Sequence, residues 1–160
     1  MDISKEIELG KHLKEKGLKI AFAESCTGGL VGHRVTNVPG SSEYYLGSVI
    51  AYANEAKIRL LGVSKDTLLM AGAVSKEIVE EMAAGIRDAL DADIGISISG
   101  IAGPGGGTAE KPVGLVWIGL AADQFERAQK YNFQGSRIDI KEQAADQAFE
   151  MAISYLREKR

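Results

Sequence analysis

An apolar run, Leu18-Lys19-Ile20-Ala21-Phe22, leads without a break into Ala23-Glu24-Ser25-Cys26-Thr27-Gly28-Gly29 and then into Leu30-Val31-Gly32-His33-Arg34-Val35. That order predicts a strand, a tight turn and a helix, with small and hydroxyl-bearing residues at the turn. Such a turn aims a side chain away from the sheet and points the N–H groups of a helix start into the same space. A nucleophile and an oxyanion or phosphate site can therefore be built from one short segment. On spacing alone, Ser25 is either that nucleophile or merely the cap of the following helix.

The remaining pattern extends this unit. Ile3, Ile7, Gly10 and Leu13 recur at helical spacing over residues 3–16, with Gly17 as a stop. After the first strand, expected at Leu18–Ala23, a helix is expected from about Gly28 to Val35, then a loop at residues 36–42. Tyr44–Ala53 is a strand by its Val, Ile and Tyr content, and Asn54 is placed to cap a short helix with Glu55 and Lys57 in its first turn. Ser64 caps another short helix through Met70. Ser75 starts a longer one whose apolar face is Ile78, Val79, Met82, Ala83, Ile86 and Leu90.

Residues 92–99 form the third strand and open into Gly100–Thr108, the most glycine-dense segment. Val113–Ala121 and Arg127–Phe133 suggest a hairpin joined at residues 122–126, and a final helix is expected from about Ser136 to Arg160. No repeat or linker interrupts residues 1–160, so a single domain is expected. Three helix-connected strands followed by a hairpin imply a three-layer α/β/α sandwich on a mixed, mostly parallel sheet of about five strands. Ligands collect beyond the carboxyl ends of parallel strands, where Glu24–Gly29, Tyr52–Lys57 and Gly100–Thr108 all fall.

Charge and cysteine usage remove several classes. A net charge of −3 with scattered basic residues gives no footprint for nucleic acid, and Arg157-Glu158-Lys159-Arg160 is expected to be a solvated helix tail. One cysteine, Cys26, allows neither an internal disulfide nor a multi-cysteine metal site and suits a reducing compartment. No apolar run approaches the ~20 residues that span a bilayer. The charged start, Met1-Asp2-Ile3-Ser4-Lys5-Glu6, lacks the apolar core of a signal peptide. A cytoplasmic protein with no membrane partner is expected.

The catalytic signatures narrow in the same way. Gly103-Pro104-Gly105-Gly106-Gly107-Thr108 has no lysine after its glycines, as a P-loop requires, and Thr108 stands where the dinucleotide fingerprint needs its third glycine. Neither G-x-S-x-G nor S-x-x-K occurs. His12 and His33 are the two imidazoles, and His33 lies about two helical turns past Ser25, roughly 12 Å by helix rise. A Ser-His-Asp triad and a histidine metal site are both disfavoured.

The remaining base candidates are lysine and tyrosine. Lys57 lies near a helix start, where the dipole and burial disfavour its ammonium form, and Tyr52 precedes it. Each candidate keeps a plainer alternative. Lys57 could be a surface charge, Tyr52 an ordinary strand residue, Cys26 a small packed side chain and Gly100–Thr108 a flexible connection. Arg137 could neutralise a phosphate or carboxylate, or stand in solvent beside a helix cap.

These residues also carry a family likeness. Residues 23–29 together with Gly47–Lys57, Gly72-Ala73-Val74-Ser75, Ser99–Gly106, Lys111-Pro112-Val113-Gly114 and Phe133-Gln134-Gly135-Ser136-Arg137 resemble the CinA carboxyl-terminal domain family. Stand-alone members of that family include nicotinamide-nucleotide amidases. The resemblance implies a three-layer α/β fold, no metal or cofactor, and hydrolysis of the carboxamide of nicotinamide mononucleotide. It implies Ser25 as nucleophile, with Lys57 and Tyr52 assisting proton transfer. Glu24, Thr27, Gly28, Asn54, Gly100, Gly103, Gly105 and Arg137 would then bind substrate, with N–H groups near Thr27-Gly28 stabilising the oxyanion. A homo-oligomer is expected, as is common for small enzymes. Longer family members carry a further amino-terminal nucleotide-processing domain, whose activity is not transferred to these residues. A cysteine hydrolase acting through Cys26 and a non-catalytic nucleotide-binding or competence- and damage-associated module are the competing readings.

Overall fold

A computed structural model describes residues 3–159. Met1, Asp2 and Arg160, assigned above to the charged start and the helix tail, lie outside the described residues. The strands are β1 (Ile20–Glu24), β2 (Tyr45–Ile50), β3 (Ile94–Gly100), β4 (Leu115–Ala122) and β5 (Phe125–Asn132). The helices are α1 (Lys5–Lys16), α2 (Leu30–Thr36), α3 (Asn54–Leu61), α4 (Lys65–Ala71), α5 (Lys76–Ala89) and α6 (Arg137–Glu158), with a 3-10 turn at Ser41–Glu43.

One mixed sheet has the order β2-β1-β3-β4-β5. β1 pairs parallel with both β2 and β3, while β3–β4 and β4–β5 are antiparallel. The register sets Glu24 beside both Ile50 and Ile98, so β1 and β2 finish level while β3 runs two residues further, to Gly100. This is the expected α/β sandwich, and it assembles the site along that edge.

Strand alternation divides the core by side-chain size. On one face Ile20, Phe22, Ile94, Ile96, Ile98, Val116, Ile118 and Leu120 pack against Leu9 and Leu13 of α1, Val31 and Val35 of α2, and Phe149 of α6. On the other face Ala21 and Ala23 meet Ile78, Met82 and Ile86 of α5 and Leu61 of α3. The small face lets α5 lie against the sheet backbone. A β-carbon at Gly119 would stand 2.5 Å from the Val79 carbonyl oxygen, and the Ser97 hydroxyl donates to that same oxygen at 2.5 Å.

Most local signals hold. Ser64 and Ser75 accept from Thr67 N and Ile78 N. Ser136 forms a capping box with Asp139, and Gly17 closes α1 in the left-handed region. The boundaries shift elsewhere. β2 ends at Ile50 rather than Ala53, and the hairpin turn is Asp123-Gln124 alone, because Ala122 already pairs with Phe125. Asn54 is the first residue of α3 and not its cap; Ala53 holds that position in an extended conformation. In α1 the buried stripe is Leu9, Gly10 and Leu13, whereas Ile3 and Ile7 are exposed. Among the described residues, no helix is long and apolar enough to cross a membrane.

Candidate active site

The turn after β1 is built by Glu24. Gly29, at the N-cap of α2, is in the left-handed region with φ 106° and has no side chain to serve as a cap. Glu24, fully buried, reaches forward instead. Its carboxylate accepts from Gly29 N at 3.2 Å, Val31 N at 2.9 Å and Gly32 N at 3.1 Å, and from the Thr27 hydroxyl at 2.7 Å. A carboxylate at a helix N-terminus meets both the orphan donors and the positive end of the dipole. Removing it by Glu24→Ala strands those donors in the interior. A loss of about 3 kcal/mol is expected, read as a lower urea midpoint.

With the cap supplied by Glu24, Ser25 is released from that duty. Its backbone is tied by Ser25 N to the Ile98 carbonyl at 3.0 Å and by Gly28 N to the Ser25 carbonyl at 3.1 Å. Its hydroxyl meets Lys57 Nζ at 3.0 Å. Ser25 is therefore not the helix cap, and Lys57 is not a surface charge: Lys57 is 1% exposed.

Lys57 Nζ also donates to the carbonyls of Ala51 at 2.9 Å and Tyr52 at 3.0 Å. Those carbonyls are available because β2 has ended, with Ala51 N bonded back to the Glu24 carbonyl at 2.8 Å. Burial pushes the Lys57 ammonium below its ordinary pKa, while Cys26 is the one group acting to raise it. Burial also drives the Cys26 thiol up to about 12, so near neutrality it carries no charge with which to hold Lys57 protonated. In its neutral form Lys57 satisfies its two N–H bonds on the two carbonyls, and its lone pair faces the Ser25 hydroxyl.

A cleft of about 280 Å³ opens onto this pair. Ser25, Tyr52, Asn54, Lys57, Gly100, Gly103, Gly105 and Arg137 all line it, as does Cys26. Ala73, Val74 and Ser99 line it too. None of the three was expected to bind substrate, although all lie in segments that carry the family likeness, Gly72–Ser75 and Ser99–Gly106.

Three expected binding residues do not line the cleft. Glu24 and Thr27 are buried within the turn and bonded to each other, and Gly28 N is committed to the Ser25 carbonyl. Cys26 N and Thr27 N, by contrast, make no hydrogen bond to another residue among the described residues. Tyr52 lines the cleft with its carbonyl and its phenol both engaged. Its carbonyl contacts Lys57, but its phenol is exposed and meets Arg137 at 3.3 Å. Arg137 in turn donates to the Gly103 carbonyl at 2.6 Å, tying the start of α6 to the glycine loop. Among the described residues, no three His, Cys, Asp or Glu side chains gather as metal ligands would.

The family model described as the CinA C-terminal domain matches residues 3–156. A protein of Halothermothrix orenii named as competence-damage inducible is 54% identical over 151 residues, which cover 94% of this chain and 37% of that protein. A CinA-like protein of Salinibacter ruber is 49% identical over 151 residues, again 94% of this chain and 37% of the relative. The chain thus spans a little over a third of the length of these curated relatives. Among solved structures, a CinA superfamily protein from Klebsiella pneumoniae superposes with a TM-score of 0.93 at 32% identity, covering 96% of each chain.

Proposed function

The chain belongs to the CinA C-terminal domain family, and from that premise we propose that it is an amidohydrolase converting nicotinamide mononucleotide to nicotinic acid mononucleotide and ammonia. The observation that carries this reading is the buried Lys57 amine 3.0 Å from the Ser25 hydroxyl. A lysine at that depth with no carboxylate partner among the described residues is suited to work as a neutral base.

Ser25 Oγ attacks the carboxamide carbon as Lys57 takes its proton directly; the Tyr52 phenol, turned to Arg137, is not in that path. The oxyanion is held by the N–H groups of Cys26 and Thr27, and one such donor is worth ~100–1000-fold in rate. Lys57 then returns the proton to the leaving nitrogen, ammonia departs and Ser25 is left as an acyl ester. Water, deprotonated by Lys57, cleaves that ester to give the carboxylic acid and free Ser25.

The decisive experiment is a coupled ammonia assay on the purified chain with nicotinamide mononucleotide. Ammonia and nicotinic acid mononucleotide are expected in equal amounts. Binding of the mononucleotide without ammonia release would overturn the enzyme reading in favour of a binding module. Cys26, whose thiol is 7% exposed and raised to about 12, does not supply the thiolate that cysteine catalysis needs. Cys26→Ala is expected to keep most of the ammonia-releasing rate, whereas a cysteine enzyme would lose it.

A further inference from the structure

A third basic residue stands beside the cleft without lining it. Lys141 follows Arg137 by one turn on α6. Its Nζ is 3.9 Å from the point a β-carbon on Gly28 would occupy, and it is the one atom outside Gly28 and its chain neighbours within 4 Å of that point. The positions three and four residues away on its own helix are Arg137, Ile138, Ala144 and Ala145, none of them acidic. The acids next to it along α6 are engaged elsewhere: Glu142 and Asp146 pair with Arg34, and Asp139 caps the helix at Ser136. Its charge is felt at Cys26, inside the cleft, where it favours the thiolate form.

Two like charges at i and i+4 repel unless an anion lies between or beside them. Arg137 is already held across the cleft mouth by the Gly103 carbonyl and the Tyr52 phenol, and its other N–H donors remain for a ligand. We infer that Arg137 and Lys141 together form a two-cation subsite for the phosphate of the substrate, an inference that rests on the amidase reading of this cleft. A phosphate monoester carries about 1.5–2 negative charges near pH 7, matching two cations. Gly28, 3.9 Å from the Lys141 ammonium at the point a β-carbon would take, puts no side chain beside it.

Nicotinamide mononucleotide and nicotinamide riboside differ by that phosphate alone, so they make the test. The purified chain and its Lys141→Met and Lys141→Arg variants are compared by kcat/KM for ammonia release and by calorimetric affinity for both compounds. The preference for the mononucleotide over the riboside is expected to fall about tenfold or more in Lys141→Met and to be largely kept in Lys141→Arg. An unchanged preference in Lys141→Met overturns the subsite. So does an equal loss on both compounds, which marks a structural role. If the wild-type chain releases no ammonia from either compound, the amidase reading fails, and calorimetry still decides the subsite. Tighter binding of the mononucleotide that depends on Lys141 supports it; equal affinities for the two compounds overturn it.

Discussion

Ser25→Ala is expected to cut ammonia release from nicotinamide mononucleotide by on the order of 10⁴-fold or more while mononucleotide binding persists. The substitution removes the attacking oxygen and little else. The turn is held by Glu24 and by the backbone bonds of residues 25 and 28, none of which uses the Ser25 hydroxyl. Lys57 keeps its two carbonyl partners, Ala51 and Tyr52. The variant should therefore unfold at nearly the wild-type denaturant concentration and bind the mononucleotide with similar affinity. Single-turnover ammonia release read beside calorimetry separates the two quantities. A Ser25→Ala protein that still turns over would remove Ser25 as nucleophile.

Lys57→Met is expected to lose activity by roughly 10³-fold or more, because a thioether of similar length cannot accept the serine proton. Lys57→Arg should fare no better, since a guanidinium stays protonated and the site is 1% exposed. The wild-type pH profile carries the complementary sign. In the proposed mechanism Lys57 works in its neutral form, so kcat/KM should fall as pH drops through the native pKa of Lys57, which burial places below the ordinary 10.5. Stability follows by linkage. Between that lowered value and the unfolded lysine near ~10.4, the unfolded chain binds more protons, so folding gains as pH rises through the window and loses as it falls. Denaturation across this range should show wild type gaining stability relative to Lys57→Met as pH rises. A flat difference, or a rate that rises on acidification, contradicts a neutral Lys57.

The parts of the fold legible in the chain were those whose cause is local. Ser64, Ser75 and Ser136 each accept from an N–H three residues on, a bond set by short-range geometry that their sequence context advertises. The cap of α2 was not legible, because it comes from Glu24, upstream of a glycine pair, rather than from Ser25. The proposed mechanism takes Cys26 and Thr27, not Thr27 and Gly28, as the oxyanion donors for a separate reason: a single backbone bond, Gly28 N to Ser25 O, engages Gly28.

By itself, the order of residues 18–35 determined a strand, a turn and a helix with Ser25 at the turn, and the exclusion of histidine chemistry left Lys57 and Tyr52 as possible partners. It could not choose between a solvated Lys57 and a buried one, since helical periodicity states which face a residue occupies and not what covers that face. Only the tertiary structure decided this. It brings residues 25 and 57 into contact across 32 positions by ending β1 and β2 level, and it closes the interior over the amine. The proton affinity of Lys57 depends on that enclosure, because desolvation is a property of everything packed around a group and of no single neighbour along the chain.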